Sequence, residues 1–177
     1  MSLSISPDES QILAAVRAWL LALLPAGTEV VRGQDNRVPQ PKGPGFAVLT
    51  PGRLEALSTP VTRFPDGFPQ GPGSRCDQLS CRLALMLDLY GPGSGDLAQT
   101  VAGLFALGTE LAPWPDPAIQ PLYAEPPLQG PFLDGERQME ERWRLPLLLQ
   151  ITQTLTSSQD FAATLTPALI EVDSLSP

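Results

Sequence analysis

The chain has 177 residues, of which 42% are hydrophobic and 17% are charged, and its formal net charge is −8. This composition predicts one folded domain over residues 1–177, with residues 1–6 and 173–177 as loose ends, and excludes a disordered chain. The negative charge disfavours tight nucleic-acid binding, and the lack of histidine excludes histidine catalysis and histidine metal ligation. We expect no metal ion and no cofactor.

The first predicted element is a helix over residues 7–24. Ser6 is placed to cap it, Pro7 suits the first helical position, and Glu9 completes a capping box. Apolar residues recur along it at spacings of three and four, namely Ile12, Leu13, Val16, Trp19, Leu20, Leu23 and Leu24. Alanines fill much of the other side, which predicts a helix covered twice, by its own sheet and by a neighbouring subunit.

The N-terminal segment also indicates where in the cell the protein is expected. Residues 1–9 are polar and acidic and do not form a signal peptide, and the apolar run over residues 12–24 is too short to span a bilayer. We therefore expect a soluble intracellular protein without a membrane partner.

Short strands are predicted next, over residues 28–32 and 46–50, with another inside 54–64. The polar loop between the first two is stiffened by three prolines, which lower the entropy lost when a loop is fixed on binding. We expect residues 34–45 of this loop to lie at a subunit or partner contact. Residues 65–74 are largely proline and glycine, which predicts a flexible or projecting loop.

Two long strands carry the clearest pattern in the chain. Over residues 77–90 and 141–156, apolar side chains occupy the odd positions and mostly polar ones the even positions. This predicts antiparallel neighbours in a sheet with one covered face. Pro146 cannot donate to the ladder, so it implies an edge strand, a bulge or an outward N–H. Cys76 and Cys81, five apart, would face opposite ways and resist a local disulfide.

A second helix is predicted after the turn over residues 91–95, with Asp96 as N-cap and an end at Gly108. The turn lacks the lysine and hydroxyl of a phosphate-binding P-loop. A strand over residues 119–124, a loop over 125–135 and a last strand over 168–172 complete the chain. The order predicts an α+β fold, a mixed and mainly antiparallel sheet with two helices packed on one face.

The densest charge run precedes the last long strand and contains Glu136, Arg137, Glu140, Glu141, Arg142 and Arg144. Paired carboxylates can perform acid–base catalysis. A run of mixed sign at the start of a strand is more typical of a solvated or subunit-facing surface. No serine of the chain sits in a nucleophile-elbow pattern.

Four motifs in chain order resemble the neck or tail terminator proteins of tailed bacteriophages. They are Val31-Arg32-Gly33-Gln34-Asp35-Asn36-Arg37-Val38-Pro39, Leu89-Tyr90-Gly91-Pro92-Gly93-Ser94-Gly95-Asp96, Pro121-Leu122-Tyr123-Ala124 and Asp134-Gly135-Glu136-Arg137-Gln138-Met139-Glu140-Glu141-Arg142-Trp143. The resemblance covers about residues 8–173. It implies a small tail-terminator-like α+β subunit and a structural rather than enzymatic role. This chain departs from the family in its proline- and glycine-rich segment over residues 65–74.

The resemblance also implies partners. Subunits of that family form a ring, typically six-fold, at the head-proximal end of the tail tube, where the ring stops tube growth and joins the tail to the head. The expected partners are further copies of the chain, the tail tube protein, the sheath in some tails, and a head-completion or connector protein, with DNA only passing through the lumen. The expected interface residues are Arg32, Gln34, Asp35, Asn36, Arg37, Pro39, Glu136, Arg137, Glu140 and Arg142.

Two classes of function remain open from the sequence. One is the structural terminator of the virion tail or neck, assembled in the host cytoplasm, with a head-completion or adaptor subunit as its close variant. The other is a monomeric enzyme or small-ligand binder that uses the carboxylates of residues 136–141.

Overall fold

The computed structural model describes residues 3–34, 41, 43–65, 67, 73–107, 114–130, 132, 133 and 139–160. Within these ranges the helices and strands follow in the order β1 (Leu3–Ser6), α1 (Glu9–Leu23), β2 (Glu29–Arg32), β3 (Phe46–Ala56), β4 (Val61–Arg63), β5 (Gly73–Tyr90), α2 (Ser94–Leu107), β6 (Ile119–Ala124), β7 (Leu128–Gln129), β8 (Phe132–Leu133), β9 (Met139–Glu140) and β10 (Arg142–Gln159).

Eight of the strands form one mixed sheet. Its main path runs β1-β10-β5-β3-β2, with β6 and β7 also beside β10 and β4 also beside β5. The β2–β3 pair is parallel, and the other pairs of this sheet are antiparallel. Strands β8 and β9 form a separate antiparallel pair. The predicted α+β class with a mainly antiparallel sheet is confirmed.

Strands β5 and β10 form the centre of the sheet. Each has 18 residues, and they pair along their whole length, from Arg142 opposite Tyr90 to Gln159 opposite Gly73. Leucines meet leucines on the covered face, for example Leu147 opposite Leu85, because both strands carry apolar side chains at odd positions. The prediction that these two strands are antiparallel neighbours is confirmed.

Both helices pack on the same face of this sheet. Trp19 of α1 stacks on Trp114 with ring centroids 5.0 Å apart and meets the edge of Phe105 of α2 at 5.7 Å. Buried side chains of α1, α2 and the odd positions of β5 and β10 form one hydrophobic cluster. Each leucine fully buried there contributes about 1.5–3 kcal/mol through the hydrophobic effect. We call the opposite side of the sheet, which carries the even positions, the open face.

The covered part of the sheet ends part-way along the two central strands. Beyond Cys81 and Ile151 their side chains are half-buried or exposed, Gly73 excepted. This outer part is flanked by β1 on one side and β4 on the other. We call β1, β4 and residues 73–80 and 152–159 the distal sheet.

The N-terminal segment differs from its prediction. Asp8, not Ser6, is the N-cap of α1, and Asp8 and Gln11 form the capping box. Ser6 is unavailable for capping because it pairs with Thr154 as the last residue of β1. The predicted loose end over residues 1–6 therefore contains a strand, whose β10 partner could not be identified from the local sequence.

Pro146 shows how a central strand accommodates a proline. Strand β10 has neighbours on both sides, so the edge-strand option is wrong. The carbonyl of Pro146 accepts a hydrogen bond from the N–H of Glu125 at 2.9 Å, in the break between β6 and β7. In an antiparallel ladder the N–H and C=O of one residue face the same neighbour, so the missing N–H also faces this break. The register with β6 shifts between Leu148 and Leu149, but the extra residue there is Leu122 of β6, and Pro146 itself stays in regular register with Met86 of β5.

Other observed element boundaries differ from the predicted ones, and most of these differences result from pairing between distant strands. Helix α2 begins at Ser94, two residues before the predicted cap, and β3 extends to Ala56 along β5. Gly73 and Ser74, predicted as loop, pair with β10, and the N–H of Ser74 donates to the carbonyl of Pro65 at 3.0 Å. The predicted loop over 125–135 contains β7 and β8. The crossover over 161–165 and the strand over 168–172 lie outside the described residues.

Candidate functional site

Two of the sequence motifs, the glycine-rich turn after β5 and the charged run before β10, meet at one end of the sheet. Phe46 lies opposite Tyr90, and Tyr90 lies opposite Arg142, so the start of β3, the end of β5 and the start of β10 are level with one another. The turn after β5 and residues 140–141 before β10 lie at the same end. We call this region, comprising Phe46 and residues 88–95 and 140–144, the motif end.

Glu141 fixes the glycine-rich turn to β10. Its backbone carbonyl accepts a hydrogen bond from the N–H of Gly91 at 3.0 Å, and its carboxylate accepts from the N–H of Gly93 at 3.3 Å. The indole N–H of Trp143 donates to the other carboxylate oxygen at 3.2 Å. The carboxylate therefore acts as a structural acceptor, and this arrangement gives no support to acid–base chemistry at Glu141.

Two glycines of the turn are required by close contacts. Gly91 has φ +94°, and a Cβ there would lie 2.1 Å from the carbonyl oxygen of Pro44. A Cβ on Gly95 would lie 2.9 Å from the indole ring of Trp143. Only glycine allows such approaches, so the Gly91–Gly95 pattern reflects packing between the turn, the loop before β3 and the start of β10.

A cluster of aromatic and charged side chains occupies the open face of the motif end. The rings of Phe46 and Tyr90 stack with centroids 4.5 Å apart, and the guanidinium of Arg142 lies 5.3 Å from the centroid of Tyr90. Buried Asp88 accepts from Arg142 Nε at 2.9 Å and forms an ion pair with Nη2 at 2.8 Å. A second guanidinium, that of Arg144, lies 3.3 Å from the same Asp88 oxygen.

The electrostatics of this cluster suit a contact surface. Burial raises the pKa of Tyr90, and the Arg142 cation only partly offsets this, so the side chain stays a neutral phenol at neutral pH. One carboxylate faces two guanidinium groups, and the side chain of Arg144 remains half-exposed. The cluster thus offers a positive, planar group that can bind a carboxylate of a partner.

An apolar cleft of about 390 Å³ lies beside the cluster. It is formed where α1 ends, β3 begins and the glycine-rich turn follows β5, and its lining includes Pro25, Pro44, Phe46, Tyr90 and Pro92. Every described residue that lines it is uncharged. Such a cleft can accept an apolar side chain of a partner.

The structure brings only some of the predicted interface residues together. Glu140 and Arg142 lie at the motif end. Arg32 forms an ion pair with Glu9 and is level with Leu49, and Gln34 follows it with φ 66°. Arg32 is three strand spacings from β10, about 14 Å across the sheet. Asp35, Asn36, Arg37, Pro39, Glu136 and Arg137 lie outside the described residues.

Sequence reasoning missed Asp88 and Phe46 as members of the site. Asp88 carried a usable signal, because it is the one carboxylate between Leu79 and Tyr90 in a strand otherwise rich in leucine. An acidic residue in such a strand requires a cationic partner, which the arginines at the start of the other long strand supply. Phe46 carried no comparable signal, since its stacking depends on the register of β3 with β5.

The described residues contain no group of three acidic or cysteine side chains that could hold a metal ion. Neither described helix is long and apolar enough to cross a membrane. Cys76 and Cys81 are both free thiols, as predicted, with Cys81 in the core and Cys76 on the open face.

The described motif residues of this α+β fold hold a turn, a loop and a strand end together, which is a structural role. The family model described as phage neck terminator protein matches residues 10–173, and the chain belongs to this family. Members are structural, non-enzymatic proteins of the virion neck that associate with other head and tail proteins. A comparison with curated proteins gave no significant match.

Proposed function

We propose that this protein forms a homo-oligomeric ring, hexameric by family resemblance, on the head-proximal end of the phage tail tube. The ring ends polymerisation of the tube and joins the tail to the connector or head-completion protein. The observation that carries the proposal is the family match over residues 10–173. Assembly takes place in the host cytoplasm, and the sheath is a further partner where the tail is contractile.

The surfaces of the described residues support a subunit with neighbours. Ala14, Ala18 and Leu21 are exposed on the side of α1 that faces away from the sheet. On β10 the open face carries Gln150 and Thr152 and no charged side chain from there to Ser158. Uncharged surfaces of this kind lose less hydration energy than charged surfaces when another chain covers them. We therefore place subunit boundaries near this side of α1 and near the open face of β10.

The predicted interface residues fit two different boundaries. Among the described ones, Arg32 and Gln34 lie on one side of the sheet, whereas Glu140 and Arg142 lie at the motif end. A subunit of a ring needs two separate sides for its neighbours and two ends for the tube and the connector. The net charge of −8 suits a ring through which DNA passes without binding.

The proposal is tested with a phage that lacks this protein. We expect tails of irregular length that do not join heads, and we expect the wild-type protein supplied in trans to restore both properties. Electron microscopy of tail preparations measures tube length and the fraction of tails with heads. Tails of normal length that join heads in the absence of the protein would refute the proposal.

A further inference from the structure

Within the described residues, the distal sheet has two edges without a neighbouring strand, formed by β1 and β4. In the part of the chain that the structure describes, β1 pairs only with β10 and β4 only with β5. Strand β1 has no charged residue and no proline, and Leu3 and Ile5 are 68% and 48% exposed. Beside the other edge, Val61 and Phe64 are each 55% exposed. Proteins normally protect such edges with charges, proline or a covering element, because an open edge pairs readily with another strand.

The two edges lie at the same height in the sheet. Ile5 lies opposite Leu155, Leu155 opposite Asp77, and Asp77 opposite Thr62. The same registers align Ser4 with Arg63 and Ser6 with Val61. The hydrogen bond from Ser74 to Pro65 continues the ladder past Arg63, which aligns Leu3 with Phe64. Four residues of one edge are therefore level with four residues of the other.

The strand directions are also suited to repetition. The distal sheet runs β1-β10-β5-β4, and each of its pairs is antiparallel. With an even number of alternating strands, its two outer strands point in opposite directions. A second copy placed beside the first by rotation about an axis along the strands therefore presents β4 antiparallel to β1. The same rotation keeps the helix-covered face of both copies on the same side of the joined sheet.

We propose that neighbouring copies of this protein join by edge-to-edge pairing of their distal sheets, β1 of one subunit against β4 of the next. The partner at each edge is a second copy of the chain, because one chain supplies both edges. The two edges have residues at the same level, their strands run in opposite directions, and their covered faces lie on the same side. This inference rests on the proposed ring and identifies the surface that closes it. A head-to-tail contact of this kind uses two different surfaces and generates a closed ring when the rotation closes.

The side chains brought together by this pairing are compatible. On the covered face, Ile5 meets Thr62 of the next copy, and exposed Leu3 meets exposed Phe64. On the open face, the hydroxyls of Ser4 and Ser6 meet Arg63 and Val61. Strand β1 has no charged side chain, so none of its residues would repel Arg63 of the next copy. Cross-strand pairs of an aromatic and an aliphatic side chain favour such a ladder.

The pairing is tested by cysteine cross-linking of the full chain on assembled tails. The variant carries Ile5→Cys and Thr62→Cys, with Cys76→Ser to remove the nearby half-buried thiol. Directly opposite strand residues have Cα atoms about 4.5–5.5 Å apart, within the range that a disulfide spans. We expect mild oxidation to give a ladder of linked subunits on a non-reducing gel, with the largest species at the ring's copy number. The matched control, Ile5→Cys with Thr62 retained and Leu107→Cys at the exposed last residue of α2, should stay unlinked.

The outcomes separate this inference from the proposed function. A ring seen by microscopy on tails of normal length, without cross-linking of the cysteine pair, overturns the edge pairing and leaves the terminator function intact. Cross-links from residue 5 or 62 to the tube protein instead of a second copy also overturn it. Tails capped without any ring of this protein refute both proposals.

A charge-exchange pair gives an independent test. Ile5→Glu should abolish ring formation on tails while the purified variant keeps its unfolding midpoint, because Ile5 is half-exposed in the single chain. Adding Thr62→Lys places a cation beside the new carboxylate in the next copy and should restore rings. Failure of the double variant to restore rings, with both variants folded, counts against the pairing.

Discussion

The motif end and the distal sheet are the two ends of the same pair of strands, β5 and β10, yet their side chains differ in kind and in what they contact. The motif end connects several segments of the chain. It does so through a buried carboxylate with two arginines, stacked aromatic rings and a turn with closely packed glycines. In the distal sheet, hydroxyl and amide side chains dominate, and the flanking strands have three or four residues each. The first end joins segments within one subunit, whereas the second ends, within the described residues, at the two edges for which we propose pairing with another copy.

Under the proposed edge pairing, this contrast separates residues that stabilise one subunit from residues that join two subunits. Burial in the middle of the sheet stabilises a single subunit without any partner. The short flanking strands of the distal sheet bury little on their own, so they gain most when a neighbour extends the ladder. Substitutions at the two ends should therefore give different phenotypes, and the following predictions run from the largest expected effect to the smallest.

The largest contrast should appear along one face of β10. Leu147 is fully buried and Leu155 is 38% exposed, although both lie on the helix-covered side. We expect Leu147→Ala to lower the free energy of unfolding by about 2–5 kcal/mol, as a cavity-forming core substitution does. Leu155→Ala should cost less than about 1 kcal/mol, as at a partly exposed site. Urea denaturation of the purified chain measures both, and equal losses would contradict the division between core and distal sheet.

The glycine turn of the motif end should show the next largest effect. Gly91→Ala forces a Cβ against the carbonyl of Pro44 at positive φ, so we expect a loss of about 2–4 kcal/mol. Gly93→Ala is the matched control, because its φ is +78° but no atom lies within 4 Å of the added Cβ. The control should lose only about 1 kcal/mol from backbone strain. Similar losses for both variants in thermal unfolding would show that the contact with Pro44 is unimportant.

The ion cluster of the motif end should contribute less than the core. Asp88→Asn keeps the shape of the side chain but removes the charge that faces Arg142 and Arg144. We expect a loss of about 1–3 kcal/mol, because two guanidinium groups are left with weaker acceptors. The exposed Asp8→Asn variant keeps a capping side chain and serves as the control. An unchanged unfolding midpoint for Asp88→Asn would remove this cluster from the elements that stabilise the subunit.

How much of this could be predicted from sequence depends on whether the signal is local. Leucine at every second position from Leu83 to Leu89 predicted a central strand and its covered face, since side-chain direction follows directly from strand geometry. The spacing in α1 likewise predicted which side packs on the sheet. Local patterns carry this information because one element alone determines it.

What the sequence did not predict depends on pairing between distant segments. Nothing in Leu3–Ser6 indicates that β10 lies beside it, and the role of Asp88 depends on a register that aligns it with Arg144. The predicted interface joined Arg32 with Arg142, but the order β2-β3-β5-β10 separates them by two strands. Strand order is set by the global packing of the chain, so residues in neighbouring motifs need not become neighbours in space.

The smallest effect should come from acid titration of the distal sheet. A hydrogen bond from the Thr62 hydroxyl, at 2.6 Å, and then the Arg75 guanidinium lower the pKa of Asp77 below its ordinary value. A carboxyl whose folded pKa is lowered stabilises the fold at pH values above its unfolded pKa, and that stabilisation is lost as the pH falls through the folded value. We expect wild type to lose slightly more stability than Asp77→Asn between about pH 5 and pH 2. The carboxyl of Asp77 is only partly buried, so the difference should shrink in about 1 M salt, where screening is strong. Unfolding midpoints measured across this pH range test the effect, and identical pH profiles for the two proteins would show that Asp77 does not fasten β4 to β5.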